Sequence, residues 1–319
     1  MSYNPDLFTI KDGVLFKCRD TGSEIVVPEG VTQIAPMAFH NLQTVRRIIL
    51  PTGLKKIGDR AFHCCRNLQS VEIPSTVTAI GDLAFCCTDI QQITLPPKLR
   101  KISRGLFETS AIREIVIPRS VQTIADAAFV DCRHLESVTL PASLKTIQSR
   151  AFHCCDRLAR INLSPTVTVG HNAFGMCKGL ADNDGFVILN GTLYESPAMY
   201  NSNTVVIPNG VTVLNQATPE ANTIIGFADI YGELEQNFCK ELVIPESVTQ
   251  ILPGAISWQK LKSITFHCKC ALGSLVFSSC KALRSITIGR DVAVSDNLFS
   301  YTPEENEKAM KKFCITYID

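Results

Sequence analysis

A phrase that recurs every 22 or 23 residues restricts the fold of this chain more than any other feature of its sequence. Two copies are ILPTGLKKIGDRAFHCCRNL, which begins at Ile49, and TLPASLKTIQSRAFHCCDRL, which begins at Thr139. Prolines mark the spacing, at Pro28, Pro51, Pro74, Pro96, Pro118 and Pro141. One unit of this length is too short to bury its own apolar groups. Neighbouring units must therefore stack and share a continuous core.

Each unit contains three groups of apolar residues. The triplet before the proline, such as Val71–Ile73, alternates between core and solvent with the period of a β-strand, and the proline ends that strand. A second apolar pair follows, such as Val77 and Ile80. An Ala-Phe segment, such as that at Phe62, then has the spacing of about one helical turn. The pattern predicts an α/β repeat, with short parallel strands on one face and short helical turns on the other.

Two side-chain types recur at fixed slots. Phenylalanine recurs at Phe39, Phe62, Phe85, Phe107, Phe129, Phe152, Phe174, Phe277 and Phe299. Cysteine follows three residues later at Cys65, Cys132, Cys155, Cys177 and Cys280. Because a thiol packs as a small hydrophobe, these cysteines suit an interior column. We therefore interpret most of the 14 cysteines as free, buried thiols of a reducing compartment rather than as a disulfide framework.

The repeats lapse after Leu180 and then restart. The segment FVILNGTLYES from Phe186 matches FTIKDGVLFKC from Phe8, and each surrounds an Asn-Gly or Asp-Gly turn that is typical of a β-hairpin. We predict two blocks, 1–181 and 182–319, each opened by a hairpin. An irregular insertion at about 209–241 serves either as a longer excursion of one coil or as a recognition loop. The capping box Thr302–Glu305 predicts a C-terminal capping helix that runs to about Lys312.

The complete repeat resembles the BspA-like class of leucine-rich repeats, whose unit reads L-x-x-I-x-L-P-x-x-V-x-x-I-x-x-x-A-F-x-x-C-x-x-L. This pattern is filled in order by Leu135, Val138, Leu140, Pro141, Leu144, Ile147, Ala151, Phe152, Cys155 and Leu158. The resemblance covers nearly the whole chain and is weakest from Asp182 to about Lys240. It implies a leucine-rich-repeat solenoid. Similar proteins are often surface proteins of host-associated bacteria and anaerobic protists, linked to adhesion and protein binding.

Charge and motifs narrow the classes of function. Lys and Arg total 31 and Asp and Glu total 30, a balance that argues against a general nucleic-acid binder. The chain has no apolar run of about 18 residues, no visible signal segment, no phosphate-binding loop and no hydrolase motif. We expect a monomer with no catalytic activity, no cofactor and no membrane insertion. As written the chain is expected to be cytoplasmic; removal of an upstream signal would make it a secreted or cell-surface protein.

One cluster of metal-ligand residue types needs an explanation. His40, His63, Cys64 and Cys86 fall at neighbouring slots after the phenylalanine, so stacking brings together side chains that bind zinc in other proteins. The second AFHCC phrase, at Ala151, lacks such neighbours. We therefore expect no metal site and interpret the cluster as surface residues of the repeat.

The candidate binding surface is the outward row of the triplets. This row, with two nearby charges, comprises Ile49, Glu72, Thr94, Glu114, Val116, Thr139, Arg160 and Asn162. The curvature of a solenoid makes such a sheet concave, so we predict that it binds a protein partner. The alternatives are a solvated sheet without a ligand, an adhesin with the same fold, and a metalloprotein or enzyme with its site in the insertion or the His/Cys cluster.

Overall fold

The computed structural model describes residues 7–170, 172–195, 203–214, 239–253, 255–256, 260–277, 280–299, 307–308, 311 and 314–318. The chain divides into two compact units, Met1–Leu180 and Ala181–Asp319. Each unit is a stack of coils built from short strands. Within the described ranges, no helix has the length and apolar character that crossing a bilayer requires.

The first unit opens with an antiparallel hairpin of β1 (Phe8–Lys11) and β2 (Val14–Cys18). At its turn Asp12 and Gly13 have φ angles of 51° and 73°, the left-handed conformation that Asp and Gly tolerate best. Strand β2 pairs in parallel with the first coil, where Leu15 lies opposite Ile34. The hairpin therefore covers the edge that the first coil would otherwise expose.

The coils of the first unit contribute strands to two sets of parallel sheets. In chain order the strands are β3 (Glu24–Val26), β4 (Gln33–Ile34), β5 (Arg47–Ile49), β6 (Lys56–Ile57), β7 (Ser70–Glu72), β8 (Ala79–Ile80), β9 (Lys101–Ile102), β10 (Glu114–Val116), β11 (Thr123–Ile124), β12 (Ser137–Thr139), β13 (Thr146–Ile147), β14 (Arg160–Ile161) and β15 (Thr168–Val169). Strands β3, β5, β7, β10, β12 and β14 come from the triplets, and we call their outward surface the triplet face. The remaining strands form the second face, which begins at the hairpin.

Successive triplets stack in register. Ile48 lies opposite Val71 with both side chains in the core, and Ile49 lies opposite Glu72 on the triplet face. Both sets of sheets are interrupted at one coil, since β7 and β8 end one group and β9 and β10 begin the next. Residues 91–96 of that coil form no strand. The prediction of parallel strands is therefore confirmed, but they do not form one unbroken sheet.

An uninterrupted aromatic column fills the core behind these strands. Neighbouring rings stack with centroids 5.1–5.7 Å apart, and every ring is fully buried: Phe39, Phe62, Phe85, Phe107, Phe129, Phe152 and Phe174. Offset stacking at this distance adds to the hydrophobic gain of burial. The column passes through the coil where both sheets are interrupted, so it holds the stack together at that point.

The backbone around each phenylalanine forms consecutive tight turns. In one coil the N–H of His63 donates to the carbonyl of Arg60, three residues earlier, at 3.1 Å. Arg60 and Cys64, two residues before and after Phe62, have φ angles of 53° and 59°. The N–H of Phe62 donates to the carbonyl of Ala84 in the next coil at 2.9 Å. Alternate amides therefore bond between coils instead of along the chain.

The prediction of short helical turns on this side is wrong. An α-helix needs right-handed φ at each residue, but left-handed residues recur two positions before and after the phenylalanine. They are Met37, Asn41, Arg60, Cys64, Leu83, Cys87, Gly105, Thr109, Ala127, Asp131, Arg150, Cys154, Asn172 and Met176. Asn, Asp and Gly at several of these slots were a signal against helix. In the described part of this unit, helical residues are confined to Leu7 and the 3-10 helix Lys178–Leu180.

The column of cysteines lies beside the aromatic column. Each thiol donates a hydrogen bond to the carbonyl oxygen of the residue at the phenylalanine slot one coil earlier, as Cys65 does to Phe39 at 2.9 Å and Cys177 does to Phe152 at 3.0 Å. Cys65, Cys132, Cys155, Cys177 and Cys280 are all buried thiols. The slot therefore favours a small apolar side chain that can still donate one hydrogen bond.

The second unit repeats the plan with an added strand. Its strands are β16 (Val187–Leu189), β17 (Thr192–Glu195), β18 (Thr204–Val206), β19 (Val213–Leu214), β20 (Glu241–Ile244), β21 (Gln250–Ile251), β22 (Ser263–Phe266), β23 (Ser285–Gly289) and β24 (Cys314–Ile318). Strands β16 and β17 pair as an antiparallel hairpin. Strand β18 pairs directly with β20, so Thr204 lies opposite Glu241. The segment 215–238, most of the predicted insertion, lies outside the described residues.

The C-terminal end of the second unit departs from the sequence prediction. Strand β24 pairs in parallel with β23 and completes a five-stranded sheet, which the sequence analysis missed. The run of β-branched and aromatic residues Ile315, Thr316, Tyr317 and Ile318 was the available signal. The capping box Thr302–Glu305 lies outside the described residues. Within the predicted helix, Glu307 and Lys308 are helical.

Candidate functional site

The structure places the predicted binding residues on the triplet face of the first unit, except that Thr94 lies in the coil where this face is interrupted. Ile49 is half-buried; the other seven are exposed, namely Glu72, Thr94, Glu114, Val116, Thr139, Arg160 and Asn162. They belong to two parallel rows. Ile49 and Glu72 lie opposite each other in the row nearer the prolines, whereas Glu114 and Arg160 lie in the other row with Ser137 between them. The face therefore extends over two side-chain rows.

Three charges form a network at one end of the triplet face. The guanidinium of Arg47 lies 2.6 Å from the carboxylate of Glu72 and 3.5 Å from that of Glu24. The hydrogen bond that Arg47 donates to Glu72, with the charges of both carboxylates, raises the pKa of Arg47. Arg47 was not among the predicted binding residues, although it lies at an exposed triplet slot as Glu72 does. The carboxylate of Glu72 is thus partly neutralised before any ligand binds.

Apolar side chains interrupt this polar surface. Val116 is 67% exposed and Val26 is 50% exposed, and Val26 lies opposite Ile49 in the neighbouring strand. Val26 was missed because the candidate row began one unit too late, although IVVPEG carries the same triplet. Exposed β-branched side chains within a charged border have the composition of a small protein-interaction surface.

Two of the predicted residues are engaged in local hydrogen bonds. The Asn162 side chain accepts from the N–H of Leu140 at 2.7 Å and donates to the carbonyl of Leu140 at 3.0 Å. Its amide therefore extends the strand ladder and stabilises the sheet. The carboxylate of Glu114 accepts a hydrogen bond from Gln92 at 3.3 Å, across the interruption between the sheets.

The His/Cys cluster does form a side-chain contact. The rings of His40 and His63 stack with centroids 5.3 Å apart, and Cys64 Sγ lies 3.9 Å from His63 Nε2. Burial, and then the charges of His40 and Arg60, lower the pKa of His63. Among the residues that the structure describes, no group of three or more His, Cys, Asp or Glu side chains is arranged to hold a metal ion.

Adjacent thiols next to this stack differ in acidity. Cys86 Sγ lies 3.5 Å from Cys87 Sγ. The hydrogen bond from Cys86 lowers the pKa of Cys87, and hydrogen bonding to Cys87 together with burial raises the pKa of Cys86. Cys87 is half-buried and Cys86 is buried. Cys87 is therefore the more reactive thiol of this pair.

Stacked coils with a triplet strand, a second short strand and a phenylalanine turn define a leucine-rich-repeat β-solenoid. The model of the BspA type leucine rich repeat region matches residues 9–132, 101–222 and 234–312, with six copies. The chain therefore belongs to the BspA-type leucine-rich-repeat family, which confirms the resemblance. Comparison with the curated proteins found no match.

Solved structures share the fold. A leucine-rich repeat protein of T. pallidum is 28% identical, with 57% of this chain and 92% of that chain covered and a TM-score of 0.54. A leucine rich cell surface protein of Faecalibacterium prausnitzii is 22% identical, covering 94% and 86% of the two chains with a TM-score of 0.52. A leucine-rich repeat protein of Bacteroides ovatus is 18% identical, with 96% and 87% covered and a TM-score of 0.52.

Proposed function

We propose that this protein is a non-catalytic interaction module that binds a protein partner through the triplet face of its first unit, which the sequence predicts to be concave. The observation that carries the proposal is the in-register surface itself. It presents Val26 and Ile49 beside the Glu24–Arg47–Glu72 network, and the exposed Val116 two coils beyond Glu72. Apolar contacts at the centre and charges at the border are what a protein interface requires. Membership of a family of typically surface or interaction proteins supports the same class of function.

The side chains in the core of the coils make catalysis a weaker proposal. The aromatic column and the cysteine column are buried and are used for packing and hydrogen bonds between coils. These thiols need to stay reduced to donate those bonds, which favours a reducing compartment such as the cytoplasm. We also propose that the two units act as two repeat blocks, 1–181 and 182–319, each opened by its hairpin.

A secreted or cell-surface adhesin is the second candidate. The relative from Faecalibacterium prausnitzii is described as a cell surface protein, and its fold is shared. An adhesin would use the same triplet face but would meet an oxidising environment. Thiol titration of the protein from its native cell, under denaturing conditions, separates the candidates. Nearly complete titration of the 14 cysteines supports the reducing compartment, and several disulfides support the adhesin.

Charge reversal tests the proposed face. A photoreactive amino acid at Val116, which is 67% exposed, first captures the partner covalently in a cell extract. Binding of the isolated partner is then measured for Glu72→Lys with Glu114→Lys, and for the control pair Arg60→Glu with Arg150→Glu in the phenylalanine turns. We expect the first pair to weaken binding by about ten-fold or more, since interface energy concentrates in few residues. Loss of binding in the control pair alone would contradict the proposal.

A further inference from the structure

A strip of basic side chains lies on the second face of the first unit. It consists of Lys55, Lys56, Lys98, Arg100, Lys101, Arg119 and Lys145, all exposed. The stretches that carry it, together with the intervening coil, contain no Asp or Glu: 52–57, 75–80, 97–102, 119–124 and 142–147. Among the described residues none of the seven cations forms an ion pair. This basic strip therefore differs from the triplet face, where Arg47 is paired with two carboxylates.

Backbone hydrogen bonds align the strip along the stack of coils. The N–H of Gln122 donates to the carbonyl of Arg100 at 3.0 Å, and the N–H of Lys145 donates to the carbonyl of Gln122 at 2.9 Å. In the earlier coils Lys56 lies opposite Ala79. Because neighbouring strands are about 4.8 Å apart, five coils give the strip a length of about 20 Å. The cations therefore form a line along the stack of coils instead of a single cluster.

A depression in the middle of the strip exposes cationic donors. It has a volume of about 420 Å³ and is lined by Thr78, Pro97, Lys98, Arg100 and Ser120. The hydroxyl of Ser120 already donates to the carbonyl of Pro97 at 2.7 Å. The ammonium of Lys98 and the guanidinium of Arg100 are therefore the strong donors that remain for a ligand, and an anionic group is their natural acceptor.

Carboxylates border the strip on one side. Asp59 Oδ1 accepts from the N–H of Asp82 at 2.9 Å, and Asp126 Oδ1 accepts from the N–H of Ser149 at 3.1 Å, so each carboxylate joins its coil to the next. A flat anionic membrane or a nucleic-acid duplex laid on the strip would also meet these fixed negative charges. The border therefore selects a narrow, single-chain anion.

The composition of the strip distinguishes among narrow anions. Its five stretches contain no aromatic residue, whereas single-stranded nucleic acids are usually held by bases stacked on aromatic rings. Five of the seven cations are lysines. Their compact ammonium lacks the planar guanidinium with which arginine binds phosphate and related groups through two hydrogen bonds. These two features favour single carboxylates as the acceptors.

We propose that the basic strip binds an extended acidic segment of a polypeptide, a run of about six Asp or Glu residues at about 3.3 Å per residue. This site is separate from the proposed triplet face, because it uses the second face of the coil. The two surfaces give the first unit two binding sites with different partner chemistry.

Fluorescence anisotropy of a labelled octaglutamate peptide tests the proposal on the full chain. The test variant combines Lys98→Gln, Arg100→Gln and Lys101→Gln. The matched control combines Lys17→Gln, Arg66→Gln and Arg157→Gln, exposed cations outside the strip with the same total charge change. Circular dichroism checks that both variants are folded. Octalysine serves as the control peptide.

We expect the test variant to bind octaglutamate about ten-fold more weakly than the wild type, and the control variant to stay within about two-fold. Binding should weaken with salt, as for exposed charges. Three results overturn the proposal. They are absence of octaglutamate binding by the wild type, equal losses in both variants, and tighter binding of a heparin oligosaccharide or an oligouridylate that the test variant loses.

Discussion

The thiol of Cys132 donates a hydrogen bond to the backbone carbonyl oxygen of Phe107, one coil earlier, at a distance of 3.0 Å. The same oxygen accepts the N–H of Ser110 at 2.9 Å, so both of its lone pairs are used inside the core. Burial raises the pKa of the Cys132 thiol to about 12, which keeps it protonated and able to donate. The cysteine therefore links two coils where no strand reaches.

Substitution of Cys132 separates its hydrogen bond from its packing. Cys132→Ala removes the donor and leaves a small void, so we expect a loss of about 1–3 kcal/mol in the free energy of unfolding. Cys132→Ser keeps a donor, as Ser110 does at the equivalent slot, and should lose less. Urea denaturation measures both. A serine variant less stable than the alanine variant would show that the thiol acts only by packing.

The aromatic column predicts a large loss of stability when the Phe129 side chain is truncated. Its ring is fully buried and stacks on Phe107 at 5.5 Å and on Phe152 at 5.1 Å. Phe129→Ala should destabilise the protein by about 3–5 kcal/mol. The matched control is Phe16→Ala, since Phe16 is 50% exposed, and we expect a change within about 0.5 kcal/mol. Similar losses in the two variants would contradict the buried column.

The left-handed turns give opposite predictions for two adjacent alanines. Ala127 has a φ of 54°, a conformation that glycine adopts without strain, so Ala127→Gly should leave stability nearly unchanged or raise it slightly. Ala128 is fully buried and donates its N–H to Ala125, so Ala128→Gly should cost about 1 kcal/mol or more. Thermal unfolding of both variants checks this. Equal losses of stability in the two variants would favour a helical turn here over the left-handed turn that the structure shows.

Thiol acidity predicts where alkylation begins. The hydrogen bond from Cys86 lowers the pKa of Cys87, so its reactive thiolate forms at a lower pH than an ordinary thiolate does. Mass spectrometry of the native protein, treated briefly with iodoacetamide across a pH series, should find Cys87 modified before the buried Cys132. Cys86→Ala removes the donor and should move the Cys87 profile to higher pH. An unmoved profile would contradict the assigned cause.

The coils could be predicted from the sequence because the packing that forms them repeats in every unit. Alternation in the triplets, and the return of phenylalanine at one slot, follow from the burial of equivalent side chains in each coil. The predicted outward residues, such as Val116 and Thr139, are therefore exposed. The same period also suits one helical turn, so spacing alone could not distinguish a helix from the turns at Arg60 and Cys64.

Other features depend on neighbours that no single repeat specifies. The ion pair of Glu72 with Arg47 joins residues 25 positions apart, and the role of Asn162 depends on the backbone of Leu140. The basic strip was missed because its members, such as Lys55 and Arg100, align only after the coils stack. Strand β24 was missed because it follows an expected helix instead of a proline-ended triplet.

Hydroxyl-radical footprinting of the protein with its captured partner tests whether binding occurs through the triplet face. It reports side-chain exposure at Val26 and Val116 on the triplet face, and at Met37, which is 49% exposed in a phenylalanine turn. We expect the partner to lower the oxidation of Val26 and Val116 by about ten-fold, as burial in an interface core requires, and to leave the oxidation of Met37 unchanged. Protection of Met37 with unchanged oxidation of Val116 would contradict binding through the triplet face.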